Sequence, residues 1–182
     1  MQIENLTELG WTNFFQSQLS LDSLESERPF RVTSVHRNLV ECVGLDAQNR
    51  QQHLQLSTYP WRNEPPEGHP TVGDWLMVDS DCKPLYLLER KTVIKRRSAG
   101  RESLIQLIAA NIDTLFIVTS CNDEFNLNRI ERYLALAAES NIHAVAVLTK
   151  SDLCADITSY TRAIDKGQPD LPVEVVNATE SK

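Results

Sequence analysis

Four consecutive residues, Thr149-Lys150-Ser151-Asp152, carry the most specific chemistry in the sequence. A carboxylate held in a loop accepts two hydrogen bonds from guanine, one from N1–H and one from the exocyclic amine. Adenine presents the wrong donor pattern and leaves the carboxylate unpaired. Asp152 is the candidate for that role, and the aliphatic stem of Lys150 lies along base or ribose while its ammonium stays polar. The loop directly follows the apolar run HAVAVL, and open α/β sheets bind ligands beyond the carboxyl ends of their strands. A second apolar run ends in Asn177-Ala178-Thr179, where a tight turn offers a backbone N–H to guanine O6; an ordinary strand-to-loop turn is the competing reading. A four-residue pattern is weak alone, and its weight comes from this context.

Six glycines, Gly10, Gly44, Gly68, Gly73, Gly100 and Gly167, never form GxxxxGK[ST]. No loop of the type that cradles phosphates and presents a hydroxyl to Mg²⁺ is therefore encoded, and the 182 residues are expected to be inactive in hydrolysis by themselves. The four cysteines lie far apart, without CxxC or Cys/His metal spacing, and read as reduced, half-buried thiols. The net charge of −7 opposes a mainly electrostatic nucleic-acid binder. Against it stands RKTVIKRRSAGR, from Arg90 to Arg101, with no acid, which reads either as a basic surface or as a solvated linker. Arg31, Arg37, Lys95, Arg96 and Arg97 are the candidate phosphate contacts for RNA. Tyr59, Trp61 and Trp75 are candidate stacking aromatics, although Trp75 in VGDWLMV fits a core position better.

The elements that must position these groups are set by the apolar pattern. Residues 1–27 read as a short helical extension that packs onto the neighbouring domain, because Gly10 breaks its periodicity. Residues 28–97 hold short alternating runs (RPFRVTSVH, NLVECVGL, QQHLQLS, VGDWLMV, PLYLLE) separated by turn residues, which suits a five-stranded barrel of the OB type. Pattern alone leaves an SH3-like barrel or a five-stranded sheet open. In residues 98–182 the runs DTLFIVTS, HAVAVLTK and PVEVVNA read as parallel strands buried on both faces, with amphipathic helices between them. The predicted architecture is thus all-β followed by a partial α/β domain. The N-terminus has no signal-peptide pattern and no run is long enough to span a bilayer, so a cytoplasmic protein is expected.

VTSVHRN, PTVGDWLMVD, KRRSAG and above all AANIDTLFIVTSCNDEFNLNRIERYLALAAESNIHAVAVLTKSDL resemble the ribosome small-subunit-dependent GTPase A family of bacterial circularly permuted GTPases. The resemblance covers most of the chain. It implies an N-terminal OB-fold, a GTPase domain whose base-recognition motifs precede the P-loop and switches, and a C-terminal zinc-binding domain. Thr149, Lys150 and Asp152 match the family's guanine motif, with Thr where most other GTPases have Asn, and Asn177-Ala178 align with the family's next loop. The implied activity is GTP hydrolysis in late maturation of the small ribosomal subunit, with the subunit and its rRNA as partners and GTP or GDP as ligand. Mg²⁺ and a structural Zn²⁺ are expected for the full-length family, and their ligands are absent from this sequence, which reads as cut before the P-loop. Two other readings stand beside this one: an RNA-binding OB-fold module without nucleotide activity, and a fragment whose open sheet edge drives association.

Overall fold

The computed structural model describes residues 3–97, 105–177 and 179, which form two compact units, Met1–Asn111 and Ile112–Lys182. In the first unit, strands β1 (Arg28–Val35), β2 (Leu39–Leu45), β3 (Gln51–Ser57), β4 (Trp75–Val78) and β5 (Pro84–Leu87) make one antiparallel sheet in the order β3-β2-β1-β4-β5. Period-two alternation sends Phe30, Val32, Val40, Cys42, Leu56, Leu76 and Val78 to one face, where Trp61 joins them. The expected closure into a barrel is not seen: no ladder joins β3 to β5 among the described residues. β5 is four residues long and opens on Pro84, which has no N–H to give a partner strand.

β4 is buried on both faces. Its second face, Trp75 and Met77, is covered by the N-terminal segment through Phe15, Leu6, Leu9, Trp11 and Leu19. Trp11 meets Trp75 edge-on at 4.8 Å. Helices α1 (Asn13–Gln16) and α2 (Leu21–Ser26) are too short to persist alone; Phe15 ties α1 to this packing, whereas α2 buries no residue. Asn5 and Glu8 form a capping box on the 3-10 turn Leu6–Leu9, and Gly10 ends it at φ 84°, a left-handed conformation that favours glycine.

The basic run is not a linker along its length. Val93–Arg97 forms β6, paired antiparallel with β7 (Ile105–Ala110), a hairpin the sequence pattern did not indicate. It is anchored to the first sheet by Ala110 N–H to the Val72 carbonyl at 2.8 Å and by the Asn111 side-chain amide to the Gly73 carbonyl at 3.0 Å. Arg90 is half-buried, and its guanidinium grips the fully buried carboxylate of Asp74 through two 2.7 Å hydrogen bonds.

In the second unit, β8 (Thr114–Ser120), β9 (His143–Thr149) and β10 (Val173–Val175) are parallel, in the order β10-β9-β8, linked through α3 (Leu127–Glu139) and α4 (Ile157–Gly167). Asn126 and Asp156 cap the helices by accepting from the N–H groups of Arg129 and Ser159. Ile130 of α3 and Ile164 of α4 pack with Ile117, Ala146 and Leu148 of the sheet, and Ala137 of α3 is also buried. The opposite face is less covered. Phe116 and Val118 on the other face of β8 are 64% and 60% exposed, which corrects the expectation that both faces are covered. Among the described residues no helix is long and apolar enough to cross a membrane.

Candidate guanine-binding site

Thr149 ends β9, and its register partner on β8 is Ser120, so the loops after both strands start side by side at the carboxyl edge of the sheet. Thr149 is tied twice to the neighbouring segment: its hydroxyl donates to the Thr119 carbonyl at 3.1 Å, and its own carbonyl accepts from Cys121 N–H at 3.0 Å. Lys150 comes next at φ 57° and ψ 35°, a left-handed turn that reverses the chain and starts the 3-10 turn Ser151–Leu153. Leu153 N–H closes that turn on the Lys150 carbonyl at 3.1 Å. Asp152 is thereby set outward, exposed and without a hydrogen bond to another described residue. A carboxylate so placed has both oxygens available to N–H donors of a ligand.

β10 brings the second candidate loop to the same edge, since Val176 N–H bonds to the Leu148 carbonyl at 2.8 Å. Asn177 then folds into a side-chain-capped turn, its Oδ1 accepting from Thr179 N–H at 3.0 Å and from the Thr179 hydroxyl at 2.7 Å. Ala178 lies outside the described residues. A groove of about 630 Å³ opens at the other, amino-terminal end of the strands, around His143, Ala144 and Pro172. It is distant from the loops, and the loops carry the polar chemistry.

A side chain that sequence pattern does not single out stands beside this turn. Glu124, in the loop after β8, places its Oε2 3.6 Å from the Lys150 ammonium and 3.0 Å from the Ser120 hydroxyl. The Ser120 hydroxyl, and then the Lys150 charge, hold the Glu124 carboxyl below the usual carboxylate range. The available signal was the spacing Ser120-x-Asn122-x-Glu124 at a strand end, which reads as an ordinary polar loop.

Of the five candidate RNA contacts, three lie in succession on β6 and two lie elsewhere in the first unit. Arg31 is engaged inside the first unit, donating to the carbonyls of Leu9 and Asn111 and lying 5.6 Å from the Trp75 ring centroid. Lys95 pairs with Glu67 at 2.6 Å, and Arg96 donates to Gln106 at 3.1 Å. Arg97 is the last residue of β6. Arg37 is exposed in the β1–β2 turn and lines a groove of about 580 Å³ with Asn38, Thr58, Tyr59, Arg62 and His69. There the Arg62 guanidinium lies 3.8 Å from the centroid of the exposed Tyr59 ring. Trp61 and Trp75 are buried and unavailable for stacking on a ligand.

Residues 87–182 match the sequence model described as RsgA GTPase. The chain belongs to the RsgA GTPase family. Over 178 residues it is 40% identical to a Vibrio parahaemolyticus protein named "Small ribosomal subunit biogenesis GTPase RsgA 2", covering 97% of this chain and 47% of the relative. A Mesorhizobium japonicum protein named "Small ribosomal subunit biogenesis GTPase RsgA" is 40% identical over 174 residues, covering 95% and 47%. The chain thus spans about half the length of these relatives. Two crystal structures share the fold with a TM-score of 0.59: YjeQ from Thermotoga maritima (19% identity, 84% of this chain and 52% of that one) and YloQ, titled a circularly permuted GTPase (18%, 85% and 53%). Among the described residues no three His, Cys, Asp or Glu side chains cluster to hold a metal, and the sequence has no P-loop pattern.

Proposed function

We propose that this chain supplies the guanine-recognition part of a GTPase that serves the maturation of the small ribosomal subunit in the cytoplasm. The observation that carries the reading is the turn at Lys150, which sets Asp152 free at the carboxyl edge of a parallel sheet. It occurs in a chain 40% identical over almost its whole length to proteins named for that role. In this reading Asp152 accepts from guanine N1–H and the exocyclic amine, the Lys150 stem covers the base, and the turn Asn177-Ala178 offers a backbone donor to O6. Residues 1–27 serve as a helical extension, 28–97 as an OB-type domain facing rRNA, and 98–182 as the base-recognition part of the GTPase domain. Hydrolysis needs a phosphate cradle that this sequence does not encode.

The test is anisotropy of mant-GDP and mant-GTP, with ATP as competitor, on this chain and on one extended through a P-loop. Weak binding by the short chain and firm, guanine-specific binding by the extended one is the expected result. Asp152→Asn in the extended protein weakens guanine and favours xanthine, because the amide replaces an acceptor with a donor. Equal affinity for ATP and GTP, or indifference to Asp152→Asn, removes the guanine assignment.

The groove around Tyr59 and Arg62 favours a second reading for the first unit, an RNA-binding surface that acts without nucleotide. Binding of small-subunit RNA that weakens with salt, with a shallower slope in Arg37→Ala, supports it. An unaltered slope rejects it.

A further inference from the structure

We propose that Glu124 is a positioning residue for the guanine loop: its carboxylate, steadied by Ser120, holds the ammonium of Lys150 beside the turn that presents Asp152. This rests on the guanine reading above.

A residue with a Cβ is disfavoured in the left-handed region and stays there only where its surroundings over-determine it. The backbone on either side of Lys150 is fixed by the Thr149 and Leu153 hydrogen bonds. Its four-carbon side chain is held by neither, and among the described residues its ammonium has one partner, Glu124. A lysine that must lie along a base loses rotamer freedom on binding, and a partner that restricts it beforehand removes part of that cost.

Ordinary surface pairs do this poorly, because both partners are mobile. Glu124 differs in being tied at three points. Its N–H donates to Asn122 Oδ1 at 3.0 Å, its carbonyl accepts from the Arg129 guanidinium, and its carboxylate, at 3.0 Å, shares the Ser120 hydroxyl proton with Asn122 Oδ1, at 2.9 Å. Ser120 is itself 4% exposed and sits opposite Thr149 in the ladder, so the anchor belongs to the sheet rather than to the loop. The 3.6 Å separation is that of an ion pair, longer than a charge-assisted hydrogen bond of about 2.8 Å.

The test is NMR of the 182-residue chain, following the Lys150 amide and its side-chain Cε and Nζ signals while GDP, and separately ADP, is added at millimolar concentration. Glu124→Gln is isosteric and lies at an exposed position, so the fold is retained; Glu139→Gln on α3 is the control. The expected result in Glu124→Gln is a shift of the Lys150 side-chain signals toward those of a free lysine before any nucleotide is present. With nucleotide, the GDP affinity falls about fivefold, the equivalent of re-ordering one long side chain, while the preference over ADP remains. Ser120→Ala gives a smaller change of the same sign. Asp152→Asn abolishes the GDP preference and leaves the Lys150 signals of the free protein in place. Unchanged Lys150 signals and GDP affinity in Glu124→Gln, with Asp152→Asn still effective, overturn the positioning role and leave the guanine reading intact. No GDP-dependent shift at residues 149–152 of the unaltered chain overturns both.

Discussion

Replacing Arg90 with alanine strands the carboxylate of Asp74 inside the first unit. Asp74 has no exposed surface, and its side chain depends on three donors: Arg90 Nε and Nη2, each at 2.7 Å, and Thr71 N–H at 2.8 Å. Arg90, 17% exposed, also donates to the carbonyls of Glu67 and His69, so the pair joins the β3–β4 loop to the segment between β5 and β6. Removing one partner of a buried, hydrogen-bonded pair costs about 3–5 kcal/mol, most of it from the charge left unpaired. Arg90→Ala sits at the upper end because Asp74 cannot reach water, and Asp74→Ala at the lower end because the guanidinium keeps two carbonyls. The double variant destabilises by less than the sum, the difference being the coupling of the pair. Urea unfolding followed by tryptophan fluorescence reads the effect cleanly: Trp11, Trp61 and Trp75 all lie in Met1–Asn111, so the signal reports that unit alone. Lys83→Ala, which removes an exposed ion pair with Asp81, is the control and leaves the midpoint in place. A loss under about 1 kcal/mol for Arg90→Ala at unchanged m, or strict additivity in the double variant, refutes the reasoning.

Two further outcomes are expected in the same unit. Gly73 sits at φ 89°, and a Cβ there would lie 2.0 Å from the Ala110 carbonyl oxygen. Gly73→Ala therefore combines backbone strain with a backbone clash and destabilises by more than about 2 kcal/mol; a stability within error of the parent in the same urea assay contradicts this. Burial pushes the Cys42 thiol up to about 12, so in the folded chain it resists a thiol reagent at pH ~8 while half-exposed Cys82 reacts. Its folded value lies above the unfolded one of about 8.5, so the neutral thiol's contribution is intact below pH ~8.5 and is lost as pH rises from there toward 12. Stability by tryptophan fluorescence should fall over that window, and Cys42→Ala should flatten the fall; an equal slope in both proteins contradicts the assignment.

Much of the candidate site was legible because it is local. TKSD begins on the last residue of strand β9, and short-range pattern reports both the strand and the turn after it. The left-handed backbone at Lys150 and the Glu124–Ser120 support were not legible, since they depend on two loops meeting across a ladder that pairs Ser120 with Thr149, far apart in the chain. The arginines show the same limit. Arg31 was read as a phosphate contact and Arg90 as part of a basic surface or solvated linker, yet they bond to Asn111 and Asp74, which no window of sequence brings near them. The hairpin β6–β7 was hidden because a strand rich in Lys and Arg lacks the alternation that marks a half-buried strand.

The amino-acid sequence by itself determined the succession of an antiparallel, turn-rich half and a βαβ half, and the placing of Thr149–Asp152 at a strand end. These depend on side-chain period and on residues a few positions apart. Tertiary structure alone decided which face of β8 stays open, which cations are engaged inside the first unit, that Trp61 joins the core while Tyr59 faces solvent, and that no ladder joins β3 to β5 among the described residues. Those outcomes depend on distant groups competing for the same buried volume and the same hydrogen-bond acceptors, a competition settled only once the chain has folded.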